Sequence, residues 1–320
     1  MRESGGRNEE DNLSALPDGV LLHIMEFLPT RQVVKSSVLS KRWKNLWKSL
    51  TTLSLIPFNG IRKYNRSLSH VFSNRDHYVP LHNLHLRAYN STAAKLLNDA
   101  IKYAALHHLQ KLTLSIIRKI PNSFVSLIFS CQSLTFLDIF ICPSHSSMKL
   151  PPSISLPSLK TLHLSNVTFT TTDNDGVEPF STCTSLTTLV LQHYMHYQSA
   201  QTLCISSPSM CTLKLENMVH SHTFIPIIVL SVPNLSSFTF KNTRTSKHYE
   251  FSCTCHLPFL KEVKIDNCVN IHSSIIINLL GLFSNVRMLT LSSHTLYILL
   301  KVRYFILFLV LIFSIFNPTF

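Results

Sequence analysis

Only six of the 320 residues are glycine, and nowhere do they form a phosphate-cradling loop. The chain has no Walker A run, no Gly-x-Gly-x-x-Gly and no Gly-x-Ser-x-Gly, which removes the common nucleotide-binding and serine-hydrolase signatures. Acidic residues are scarce as well, 16 against 29 Lys and Arg, and no arrangement of them specifies a catalytic centre. A hydrophobic leader is missing: Met1 to Asp11 is polar and carries Glu9, Glu10 and Asp11, so it is not a signal peptide. The eight cysteines are therefore expected as reduced thiols in the cytosol or nucleus, not as a disulfide framework. Long apolar runs are missing too. The longest uncharged apolar stretch, Tyr304 to Phe316, is 13 residues, short of the roughly 20 that a bilayer span needs.

What is present is a repeat. An apolar-x-x-apolar-x-apolar phrase recurs nine times, its middle residue falling at Leu84, Leu112, Leu137, Leu162, Leu189, Leu213, Phe238, Val263 and Leu289. A step of about 25 residues with this spacing is the signature of leucine-rich repeats. The expected fold is therefore α/β: a solenoid in which each turn buries apolar surface only against its neighbours, with a parallel sheet on the concave face. In each turn the two apolar residues of the final apolar-x-apolar core point inward and the residue between them faces out. Leu50, Leu53 and Leu55 read as an irregular first repeat. Ala93, Leu96, Leu97, Ala100, Ile101 and Ala104 have the spacing of a convex-side helix. Later convex segments, such as Pro151-Pro152-Ser153, read as turns or 3₁₀ pieces, and Asp173 to Gly176 as a surface loop. Arg62, Lys63, Arg66 and Arg75 mark a basic, poorly periodic connection.

Residues 13–50 read as three short helices. Pro17 suits a first helical turn, Thr30 is expected to cap the second helix and Ser40 the third. Trp43, Leu46 and Trp47 then share one face. So small a unit must lean on the first solenoid turns or on a partner. The division is thus 1–12 a disordered N-terminus, 13–50 the helical unit, 51–295 the solenoid and 296–320 a hydrophobic tail. That tail reads either as membrane-associated through residues 304–316, with Lys301 and Arg303 snorkelling, or as an apolar end-cap or the end of a truncated chain.

The run Leu16-Pro17-Asp18-Gly19-Val20-Leu21-Leu22-His23-Ile24-Met25-Glu26-Phe27-Leu28-Pro29-Thr30, continued by Ser37-Val38-Leu39-Ser40-Lys41-Arg42-Trp43-Lys44-Asn45-Leu46-Trp47, resembles an F-box. Placed before leucine-rich repeats with phrases such as Leu156-Pro157-Ser158-Leu159-Lys160-Thr161-Leu162, it resembles the plant F-box/leucine-rich-repeat proteins, many of which end in an FBD domain. No such domain is recognisable here. The resemblance implies a non-enzymatic substrate adaptor of an SCF-type cullin–RING ubiquitin ligase. In that role the F-box docks on an SKP-type adaptor and the repeats hold a protein substrate. The docking residues it implies are Leu16, Pro17, Ile24, Leu28, Val34, Val38, Leu39, Trp43 and Trp47, some of which must instead fill the F-box's own core. Six cations against two acids between Leu13 and Leu50 suit an acidic adaptor surface. The alternative is a binding scaffold without ligase function, tethered to a membrane by its tail.

For substrate binding, the outward positions of the repeats are His85, Thr113, Asp138, His163, Val190, Lys214, Thr239, Lys264 and Thr290. One place beyond each core lie Arg87, Ser115, Phe140, Ser165, Gln192, Glu216, Lys241, Asp266 and Ser292. Of these, His85, Asp138, His163, Lys214, Glu216, Lys241, Lys264 and Asp266 are the expected substrate contacts, and their mixed sign favours a protein over a polyanion. The net charge of +13 is scattered, not gathered in a stripe, which disfavours nucleic acid. Cys253-x-Cys255-His256 lacks zinc-finger spacing, and His193/His196 and His220/His222 lack an HExxH context. No metal or cofactor is expected. Cys142 and Cys268 fall at the repeat position that favours Asn or Cys.

Overall fold

The computed structural model describes residues 15–56, 61–88, 94–117, 122–142, 148–169, 176–195, 202–218, 227–242, 249–267, 273–283 and 286–301. The chain opens on three short helices, α1 (Asp18–Glu26), α2 (Thr30–Ser36) and α3 (Trp43–Leu46), followed by a 3₁₀ turn over Trp47–Ser49. Pro17 stands just before α1, where its missing N–H costs nothing. The Trp43 N–H donates to Ser40 Oγ (3.4 Å). Thr30 does not cap α2, because it is the first residue of the helix. Its buried hydroxyl instead accepts the Ser54 N–H (2.8 Å), joining the helical unit to the first strand of the solenoid.

The solenoid sheet is parallel throughout. Its strands, in order, are β1 (Thr52–Leu55), β2 (Asn83–Ala88), β3 (Lys111–Ile116), β4 (Phe136–Ile141), β6 (Thr161–Phe169), β7 (Thr188–Met195), β9 (Thr212–Glu216), β11 (Ser237–Asn242), β13 (Glu262–Asn267) and β14 (Met288–Leu291), with short β5 (Met148–Leu150) beside β6. Register is kept from rung to rung: Leu84 pairs with Leu112, Leu112 with Leu137 and Leu137 with Leu162. The inward leucines from Leu53 to Ile265 are buried, forming one continuous core. Serine and threonine at the rung corners join adjacent turns through their hydroxyls, as in Thr135 to Gln110 O (3.2 Å), Thr187 to Lys160 O (3.0 Å) and Ser236 to Cys211 O (2.9 Å).

The convex side is more regular than turns and 3₁₀ pieces. Helix α5 (Ala94–Leu106) buries Leu97, Ala100, Ile101 and Ala104 as their spacing requires. Further helices follow as α6 (Asn122–Phe129), α7 (Ser273–Leu282) and α8 (Ser293–Lys301). Between α6 and α7 the helices give way to a second parallel sheet of β8 (Thr202–Ser206), β10 (Ile227–Ser231) and β12 (Glu250–Cys253). Period-two burial of Leu203/Ile205 and Ile228/Leu230 explains the switch. Phe251 of β12 meets Phe240 of β11 edge-on at 5.4 Å across the core. The Pro151-Pro152-Ser153 stretch is irregular, as expected.

The basic connection is also ordered. Helix α4 (Ile61–Asn74) spans most of it and is followed by Arg75, which is only 2% exposed. The Arg75 guanidinium donates to the carbonyls of Leu50 (2.8 Å), Val79 (2.7 Å) and Pro80 (2.6 Å) and to the Tyr103 hydroxyl (3.1 Å). One cation thus ties the end of the helical unit, the α4–β2 loop and α5 together. Trp47 stacks on His70 of α4 (6.2 Å), completing the seam.

The tail residues 304–316, Cys268 and residues 1–12 lie outside the described residues. Among the described residues no helix is long and apolar enough to cross a membrane.

Candidate functional site

Two surfaces stand out, one on the helical unit and one in the concave sheet. In α1 the apolar residues divide between two faces. Leu21 and Met25 are buried in the small helical core, whereas Val20, Ile24, Phe27 and Leu28, at i, i+4, i+7 and i+8, face solvent. Phe27 is 77% exposed and Val38, just after α2, is 88% exposed, with Leu39 exposed beside it. Leu16 and Val34 are half-buried and Pro17 is exposed. Trp43 and Trp47, at 7% and 4% exposure, fill the interior with Leu21, Met25, Val33 and Leu46 and do not share the exposed surface of the other expected docking residues. Val20 and Phe27 are exposed beside the expected residues Ile24 and Leu28. Their signal was readable: α1 and the two residues after it carry more apolar side chains than one buried face can use. The cations divide too: Arg42 is paired with Asp18 and donates to the Leu16 carbonyl, while Arg31, Lys35, Lys41 and Lys44 remain exposed.

The concave face bears the outward residues in rows, because parallel register stacks each on the next. Asp138, His163, Val190 and Lys214 are consecutive partners across β4, β6, β7 and β9, and Phe140, Ser165, Gln192 and Glu216 form the adjoining row. These residues line a cavity of about 370 Å³, with buried Val190 on its floor. At its edge Asn166, His193 and Asn217 adopt left-handed conformations (φ 59°, 68° and 51°) at equivalent places on three neighbouring rungs. The β6–β7 register shifts there, between Ser165 and Val167.

The expected substrate residues separate into two groups. Lys241 and Asp266 neutralise one another (3.5 Å), and Glu216 accepts from Gln192 Nε2 (2.9 Å). Lys214 and Lys264 are exposed, with no ion pair among the described residues. At the other end, His85, Asp138 and His163 sit in the row shared by β2 to β6, half-buried. Desolvation pushes the Asp138 carboxyl above its ordinary range, only partly offset by His163 and His85. Burial likewise pushes His85 down, against the pull of Asp138. The sequence rows did not include Phe136, whose ring meets His163 edge-on at 5.4 Å.

Elsewhere, the Cys253 and Cys255 sulfurs lie 3.9 Å apart, and no cluster of three metal-binding side chains occurs among the described residues. Cys142 sits at a rung corner, its carbonyl accepting from Asn166 Nδ2 (3.3 Å).

Comparison with known proteins gives this geometry a family. Residues 97–294 match the model described as FBD-associated F-box protein At5g56370, LRR repeats, and residues 13–54 match the F-box domain. The chain belongs to the FBD-associated F-box/leucine-rich-repeat family. Similar relatives from Arabidopsis thaliana include FBD-associated F-box protein At4g10400, 29% identical over 303 residues covering 89% of this chain and 67% of the relative. F-box/FBD/LRR-repeat protein At3g51530 is 28% identical over 245 residues, 73% of this chain and 52% of the relative. Putative F-box/FBD/LRR-repeat protein At4g13965 is 32% identical over 218 residues, 64% and 47% respectively. The chain spans about half the length of the first curated relatives it matches. In this F-box/LRR chain the F-box match takes in α1 to α3, the 3₁₀ turn and most of β1, and the repeat match runs from α5 to the start of α8.

Proposed function

We propose that this F-box/LRR chain is a substrate-recognition subunit of an SCF-type cullin–RING ubiquitin ligase. Its F-box docks on an SKP-type adaptor and its concave face holds a protein substrate. The observation that carries the reading is the apolar surface Val20, Ile24, Phe27, Leu28, Val38 and Leu39, left in water by a helical unit that buries its two tryptophans. An exposed apolar patch on so small a unit favours a partner, and the exposed cations Arg31, Lys35, Lys41 and Lys44 around it favour an acidic one. The chain itself is not a catalyst in this reading. It supplies proximity, holding substrate near the ubiquitin-charged enzyme of the ligase core.

The test is binding of the full chain to a purified SKP-type adaptor by calorimetry. Phe27→Asp combined with Val38→Asp should weaken binding at least about 30-fold, as expected for loss of an anchor worth roughly 2 kcal/mol. Both residues are exposed, so the far-UV circular dichroism should not change. Equal affinity of wild type and double variant would refute the reading.

A further inference from the structure

The outward side of β4 has an unusual order: Phe136, Asp138 and Phe140 alternate with buried Leu137, Ile139 and Ile141. A carboxylate therefore stands between two aromatic rings on the floor of a concave groove. Among the described residues it has no hydrogen-bond or ion-pair partner. Beside it on β6, in register with Phe140, is Ser165, a residue of the same cavity wall that is only 4% exposed and whose buried Oγ has no hydrogen-bond partner. A buried hydroxyl left unsatisfied is rare and calls for an explanation. So does a half-buried carboxylate with only imidazoles for company, since desolvated charge is costly until it is paired.

Both deficits are met by one kind of group. It must carry positive charge for Asp138, have several N–H donors so that one can reach Ser165 Oγ, and be flat enough to lie against Phe140. Guanidinium satisfies all three: its planar fork pairs with carboxylates and stacks on aromatic faces, whereas ammonium is a strongly hydrated point charge. We propose that the groove over β4 and β6 is a receptor for an arginine side chain of the partner protein, with Asp138 as counter-ion, Phe140 as stacking face and Ser165 as acceptor. This inference rests on the concave face being the substrate-binding surface and names the chemistry the substrate must present. It also runs against the chain's overall charge of +13, so the selection is local to the groove.

The experiment uses the full chain and three fluorescein-labelled hexapeptide pools, degenerate at five positions and fixed at the third as arginine, citrulline or lysine. Citrulline keeps the shape of arginine and removes the charge. Fluorescence anisotropy should show the arginine pool binding at least about tenfold tighter than the citrulline pool, with lysine intermediate. Asp138→Asn, nearly isosteric, should erase the arginine–citrulline difference. Phe140→Leu, which keeps apolar area but removes the π face, should bring the arginine pool down to the lysine pool. Arginine and citrulline pools binding alike in wild type, or Asp138→Asn keeping the preference, would overturn the assignment. Lysine equal to arginine in wild type would overturn the guanidinium specificity. Adaptor binding of each variant is measured in parallel. Retained adaptor binding without arginine preference removes this inference alone, whereas arginine preference without adaptor binding removes the ligase role and leaves the receptor.

Discussion

Asp138 illustrates how much a single residue can shape a surface. Its carboxyl is held above the ordinary value of 3.8 by burial, with His163 on the next rung and His85 two rungs back pulling the other way. In the window between 3.8 and that raised value the folded chain binds more proton than the unfolded one. Stability from this group therefore falls as pH rises through the window and is lowest once the carboxylate is fully ionised. Asp138→Asn should raise the midpoint of thermal unfolding at pH 7 and flatten its dependence on pH above 3.8. A variant less stable than wild type at pH 7 would contradict this account. The sequence placed Asp138 on the concave face because outward positions follow from the repeat alone. It could not show that Ser165 lacks a partner or that Arg75 is buried. Those facts depend on carbonyls and turns that converge only in the folded chain, and nothing local marks Arg75 among its basic neighbours.

At the scale of the element, the repeat pattern worked because inward and outward residues alternate with period two in every strand. The same logic explains the failure on the convex side, where β8 and β10 carry an equally plain alternation that was hidden by Ser- and Pro-rich surroundings. The rungs are not equal in strength. Leu189 of β7 is fully buried between two neighbouring turns, whereas Leu289 and Leu291 of β14 are half-buried. Leu189→Ala should cost about 2–5 kcal/mol and Leu289→Ala no more than about 1–2 kcal/mol, since cavity cost follows enclosure. Denaturant titration of both variants measures the difference, and equal losses would show the array to be less graded than its burial implies.

Across the whole molecule, the F-box and the solenoid share one seam. Thr30 accepts from Ser54, Asp76 N–H donates to the Lys48 carbonyl (3.1 Å), and Arg75 closes on Leu50 O. The only two tryptophans, Trp43 and Trp47, lie in the F-box, so their fluorescence reports that unit while circular dichroism reports the sheet. In wild type the two signals should change together on denaturation. Arg75→Met leaves buried carbonyls without a donor and should lower stability by about 2–4 kcal/mol, because hydrogen bonds to a charged group are the strong ones. The tryptophan transition should then precede the sheet transition. Coincident curves in the variant would mean that the seam does not depend on this cation.

Because the helical plug is fused to the first rung and every later rung advances by about 4.8 Å, the array works as a ruler. The groove begins three steps from β1, roughly 14 Å along the stack. Excising one early repeat would leave the pocket's walls intact while drawing it about 5 Å nearer the plug, and inserting one would push it the same distance away. Height above the helical end is thus encoded by counting turns, independently of which side chains line the pocket.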